Sequence, residues 1–159
     1  MSQYLNIFIK SLKDKEKETI IPIASFSRSS ELYDIFYKIL YTPFEKVRVL
    51  KSEDINKLIN EVNHRTKELE EENNKDKEIM ERLKTSVKPD VYDDFIEKVN
   101  EKIENISERN SEIINYQKIL GTLEFLSNIL FWYDDYAEIL YGIEAWFEED
   151  GSLLMTSEK

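Results

Sequence analysis

Leu130 to Asp150 reads LFWYDDYAEILYGIEAWFEED, and the period assigned to this stretch decides how the chain folds. As a helix it gathers Ile139, Leu140, Ile143 and Phe147 on one face. As a strand it alternates Ile139, Tyr141, Ile143, Ala145 and Phe147 against Glu138, Gly142, Glu144 and Glu148. Both periods fit. Gly142 weakens a helix interior by roughly 1 kcal/mol, and isoleucine, tyrosine, tryptophan and phenylalanine suit a pleated surface, so the strand is preferred over residues 137–147.

A strand needs partners, and they stand at the other end of the chain. Tyr4 to Ile9 (YLNIFI) and Ile20 to Phe26 (IIPIASF) are apolar runs of strand length, separated by the charged segment from Ser11 to Thr19. That pattern is an antiparallel hairpin. Pro22 has no backbone donor, which sends the second strand to the sheet edge and leaves the first in the middle, with room for the C-terminal strand beside it. Leu32, Ile35, Phe36, Ile39 and Leu40 then form one helical face behind Ser29 or Ser30 as N-cap, and Thr42-Pro43 ends that helix. Glu45 to Leu50 reads as a short extended segment or irregular connection.

From Ser52 the apolar spacing changes to heptads. Ile55, Val62, Leu69, Asp76 and Leu83 recur every seven residues, and after a turn with Pro89 and Asp90 a matching series follows at Tyr92, Val99, Ile106, Ile113 and Leu120, flanked by Phe95, Ile96, Ile103 and Tyr116. Two such helices around one short turn make an antiparallel coiled-coil hairpin. Asn73 and Asp76 interrupt its seam, either as register-fixing polar residues or as part of a fraying tip. The expected fold is therefore α+β. It has a small antiparallel sheet of about three strands with a packing helix (1–51 and 129–150), a long helical hairpin (52–128) and a flexible tail (151–159).

Composition limits the chemistry. The 159 residues include 41% apolar and 12% aromatic residues, enough for a core, while 35% are charged. There is no cysteine and a single histidine, His64, so disulfides, thiolate nucleophiles, Cys-ligated metals and His-based triads all lack members. A net charge of -11 opposes direct binding to nucleic acid, which rests on a cationic surface. The opening MSQYLNIFIKSLKDK lacks a signal-peptide pattern and no run of about 18 apolar residues occurs, so a soluble cytoplasmic protein with no membrane span is expected. The charge is uneven: most of the acid excess, and many of the aromatic rings, lie in the last thirty or so residues.

Three readings of function follow. The first is a non-enzymatic protein that binds a partner with a basic surface. Asp134, Asp135, Glu138, Glu144, Glu148, Glu149 and Asp150 would steer it, and Trp132 and Trp146 would be its anchors unless both serve the core. The second is a scaffold that self-associates through the hairpin. The third is a small-anion or nucleotide site at Ser27, Arg28, Ser29 and Ser30, where hydroxyls, amides and a guanidinium meet at a helix N-terminus, although capping alone explains the serines. No metal site and no cofactor is expected, since Asp134 and Asp135 have no second acidic motif and suit a turn.

Tyr4 to Ile9, followed by Ile21-Pro-Ile-Ala-Ser-Phe-Ser-Arg-Ser-Ser-Glu-Leu-Tyr33, resembles the start of small bacteriophage-encoded proteins of uncharacterised role. The resemblance covers about the first fifty residues and the order of elements, and it carries no catalytic motif. It implies an inhibitor or adaptor acting in the bacterial cytoplasm on a host defence or nucleic-acid-handling protein, in some cases by presenting carboxylates where DNA phosphates would bind.

Overall fold

The computed structural model describes residues 3–13, 19–86, 92–147 and 153–155. The chain forms two compact units, Met1–Glu61 with Ile119–Lys159 and Val62–Lys118. The first turns of the hairpin's leading helix and the last turns of its returning helix thus belong with the sheet, further along each helix than heptad spacing suggests. Their buried residues explain this: Ile55 and Leu58 at one end, Leu123 and Leu126 at the other, are all withdrawn from solvent.

In the first unit, β1 (Tyr4–Ser11) is followed by β2 (Ile20–Ser27), α1 (Glu31–Leu40) and β3 (Arg48–Val49), and the chain returns as β4 (Ala137–Ile143). The four strands form one antiparallel sheet in the order β2-β1-β4-β3. Pro22 lies on an edge strand, as its missing N–H requires, and the β1/β2 register slips beside it, between Ile7↔Ala24 and Phe8↔Pro22. β1 sits between β2 and β4, with Leu5 opposite Ile143, Ile7 opposite Tyr141 and Ile9 opposite Ile139. Those pairs share one face, and α1 covers it: the rings of Phe36 and Tyr141 meet edge to face at 5.4 Å.

α1 starts where the serine cluster predicts. Ser30 is the cap, its Oγ accepting the Tyr33 N–H at 3.2 Å. Tyr41, in the left-handed conformation, ends the helix, and the Thr42 hydroxyl donates to the Phe36 carbonyl at 2.8 Å.

The C-terminal strand departs from its sequence pattern at Glu144. This residue has φ 56° and breaks the strand in two, so β5 (Ala145–Phe147) does not continue the alternation of β4. β5 turns across the opposite face of the sheet, where Phe147 packs edge to face on Phe8 with ring centres 4.7 Å apart and the Asn6 amide donates to the Ala145 carbonyl at 3.0 Å. Leu153–Met155, within the segment read as a tail, forms β6 and pairs antiparallel with β5. Beside the four-stranded sheet the fold therefore holds a second, two-stranded ladder that alternation does not announce.

The second unit holds the remainder of α2 (Ser52–Ser86) and α3 (Tyr92–Tyr133), which run antiparallel there, as their cross-helix contacts require: Asn73 meets Asn110, and Asp76 meets Arg109 and Lys102. Pro89 and Asp90, the expected stop and cap, lie outside the described residues. The wet centre of the seam is an ion cluster. Asp76 is buried, bonded to Arg109 Nη1 and 3.4 Å from Lys102 Nζ, while Arg109 Nε lies 3.2 Å from Glu72 and the Asn73 amide donates to Asn110 at 3.1 Å. Lys102 and Arg109 thus occupy seam positions, seven residues apart in line with Phe95 and Tyr116, and Ile103 is turned out, 50% exposed, instead of packing alongside. The partnered carboxylate favours the register-fixing reading of Asn73 and Asp76 over a fraying tip.

The Arg109 hydrogen bond holds the Asp76 carboxyl below the usual aspartate range, against the opposing effect of burial. A carboxylate whose folded pKa is depressed stabilises the fold fully above its unfolded value, about 3.9, and that contribution fades as pH falls from there through the lower folded value. Asp76→Asn should therefore cost about 1–2 kcal/mol at pH 7. The gap from wild type should hold above about pH 4 and narrow progressively as pH falls below it, a trend readable from paired thermal melts across that range.

Candidate partner-binding surface

The end of α3 presents aromatic rings to solvent. Phe125, Phe131, Trp132, Tyr133 and, in the following turn, Tyr136 are 54–74% exposed, with Phe131 and Trp132 the most open at 74% and 69%. Their exposure follows from helix geometry. Phe125 and Trp132 are seven residues apart on the side of α3 away from the heptad positions, and Phe131 and Tyr133 flank Trp132 at one step of about 100° each. Two of these rings, Phe131 and Trp132, meet edge to face at 5.0 Å.

The turn that follows is anchored at both ends. The Tyr136 N–H donates to the Tyr133 carbonyl at 2.9 Å, and Leu12 of the segment after β1 donates its N–H to the Tyr136 carbonyl at 2.8 Å. Asp134 and Asp135 sit in this turn and are exposed. Among the described residues, Lys13 Nζ lies 5.8 Å from the centre of the Tyr136 ring. The result is an exposed aromatic cap carrying two carboxylates in its turn.

The structure divides the sequence candidates. Trp132, Asp134 and Asp135 are gathered on the cap. Glu138 is half-buried and faces Lys10 across the β1/β4 pairing. Trp146 is half-buried in β5, apart from the cap, so the two tryptophans do not play equivalent parts. Glu144 is withdrawn altogether. It is 7% exposed, its Oε1 accepts the Tyr4 N–H at 2.8 Å, and its own N–H donates to the Tyr4 carbonyl at 2.9 Å. Strand alternation turns Glu144 toward solvent; the left-handed backbone turns it inward, and its carboxylate satisfies the start of β1 instead of meeting a partner. Glu148, Glu149 and Asp150 lie outside the described residues.

Phe131, Tyr133, Tyr136 and Phe125 are additions that the acidic pattern alone does not supply. Their signal in the sequence is the heptad frame itself: extended past Leu120, it puts Phe125 and Trp132 opposite the seam, where a coiled coil carries polar residues.

In the serine cradle at the start of α1 the hydroxyls bond within the chain. Ser30 Oγ is occupied in capping, the hydroxyls of Ser27 and Ser29 bond each other at 2.9 Å, and the Arg28 N–H donates to the Gln3 carbonyl at 2.8 Å. His64 is exposed and pairs with Glu68 one turn on at 3.1 Å. Among the described residues no three His, Cys, Asp or Glu side chains gather as metal ligands, and no helix is long and apolar enough to cross a membrane. No family model, curated protein or solved structure matches the chain.

Proposed function

We propose that the protein is a non-enzymatic acidic binding factor that docks on a partner protein through the cap at the end of α3. The supporting observation is the concentration of Phe125, Phe131, Trp132, Tyr133 and Tyr136, each more than half exposed, around the exposed carboxylates of Asp134 and Asp135. Isolated exposed apolar residues are ordinary, whereas contiguous aromatic rings left wet mark interaction surfaces, and aromatic residues dominate interface hot spots. The carboxylates and the net charge of -11 select a partner with basic groups around an apolar pocket. Acting as an inhibitor or adaptor of a host nucleic-acid-handling or defence protein, as the bacteriophage resemblance implies, is the biological form of this reading.

A photo-crosslinking residue at Phe131 should capture a partner in host extract that the same residue at exposed Glu104 does not. With that partner purified, Trp132→Ala should weaken binding about thirtyfold or more, as hot-spot truncation does. Asp134→Asn with Asp135→Asn should chiefly slow association and flatten its salt dependence. Equal crosslinking from both positions, or affinity unchanged by Trp132→Ala, would refute the assignment.

A second reading, self-association into a scaffold, has its own support in the second unit. Ile96, Ile103 and Ile114 are 38%, 50% and 52% exposed and fall on one outward line of α3. A mass that stays monomeric in light scattering over a wide concentration range would exclude it.

A further inference from the structure

Arg28, released from the serine cradle, borders a cleft of about 480 Å³ between the start of β1, α1 and the loop after it. Its floor is apolar: Ile143 is 1% exposed and Tyr33 6%. Two rings, Tyr37 and Phe44, line it at 57% and 50% exposure, and Tyr37 lies nearly parallel to Tyr33 with ring centres 6.4 Å apart. The volume falls within the range of small-molecule sites, about 300–1,000 Å³.

The polar groups around this cleft are few and mixed in kind. The Tyr33 hydroxyl donates to Gln3 Oε1 at 2.8 Å, which orients the Gln3 amide and leaves its NH₂ end as a donor. Asp34 is an acceptor, held 3.2 Å from Lys38 Nζ. Arg28 is exposed and makes no ion pair among the described residues, while Lys38 is paired with Asp34 and the buried Glu144 carboxylate acts on the Tyr33 hydroxyl. The cleft thus places the Arg28 guanidinium beside the exposed aromatic faces of Tyr37 and Phe44.

We infer that this cleft binds a nucleoside monophosphate. The base stacks against Tyr37 and Phe44, the phosphate meets Arg28, and the Gln3 amide supplies a donor that a base edge pairs with. The site is independent of the aromatic cap and uses none of its residues.

Isothermal titration of the full chain with adenosine, guanosine, cytidine and uridine 5′-monophosphates tests the assignment, alongside adenosine and inorganic phosphate. At least one monophosphate should bind, at least about tenfold more tightly than either adenosine or phosphate alone. Arg28→Gln should weaken it about tenfold or more, and Tyr37→Ala by a similar factor. Both side chains are exposed, so melting midpoints equal to wild type verify that each variant folds. No binding by any of the monophosphates at millimolar concentration would overturn the inference. So would phosphate binding as tightly as the nucleotide, or a folded Arg28→Gln with unchanged affinity.

Discussion

Ile143→Asp is expected to unfold the sheet unit. Ile143 is 1% exposed, lies opposite fully buried Leu5 on β1 and shares its face with Tyr141, so a carboxylate there replaces an apolar side chain within the packed face of the sheet. Burying an unpaired charge and losing the apolar contact together cost about 4 kcal/mol or more, a large part of the stability of a domain this size. Denaturant titration followed by near-ultraviolet dichroism should show the aromatic signal of the unit lost at much lower denaturant than in wild type. The neighbouring substitution Glu144→Lys sharpens the test. A solvent-facing strand residue would accept lysine at little cost. Here lysine removes the acceptor of the Tyr4 N–H and brings an ammonium into a position 7% exposed, and a loss of about 2–3 kcal/mol is expected. Glu144→Gln keeps an oxygen acceptor for Tyr4 and should recover most of that loss, whereas lysine tolerated like a surface change would contradict the inward carboxylate.

Gly142→Ala should be nearly as damaging, although alanine is ordinarily the better strand residue by about 0.5–1 kcal/mol. A Cβ at Gly142 would be driven into the Lys46 carbonyl oxygen, far inside contact distance, and would also press on the Ala145 Cβ at 3.0 Å. The loop that comes so close has little freedom to retreat. Pro43 accepts the Ile143 N–H at 3.1 Å, the Glu45 N–H donates to the Ile143 carbonyl at 2.7 Å, and Glu45 is itself held at φ 57°. Displacing this segment should cost about 3 kcal/mol, lowering the melting midpoint by ten degrees or more, at about 4–8 °C per kcal/mol. A variant as stable as wild type would show that the loop does not rest on the strand.

What the sequence determined by itself is the local periodicity and its consequences. The apolar run of residues 4–9, alternation in residues 137–143, the donorless Pro22, a serine cap at Ser29 or Ser30 and the heptads of α2 and α3 were enough for an antiparallel sheet with β1 in its middle, a covering helix and a helical hairpin. Each of these is settled by residues within a few positions of one another, or by one face of one element. Trp132, Asp134 and Asp135 were legible for the same reason: a run of rings and acids at a helix end stands out wherever it packs.

Tertiary structure decided the rest, because the deciding partner is remote in sequence. Glu144 looks like an outward strand residue until the Tyr4 N–H, 140 positions away, claims its carboxylate. Gly142 looks like a weak spot in a helix until the Lys46 carbonyl lies over it. Asp76 looks like a flaw in a seam until Arg109 and Lys102 arrive from the other helix. Phe131 and Tyr136 look like core residues by composition and are left in water, because the core is already filled by Leu123, Leu126, Ile139 and Tyr141. Apolar character favours burial, but only the packed structure determines which rings find a place in the core and which remain on the surface.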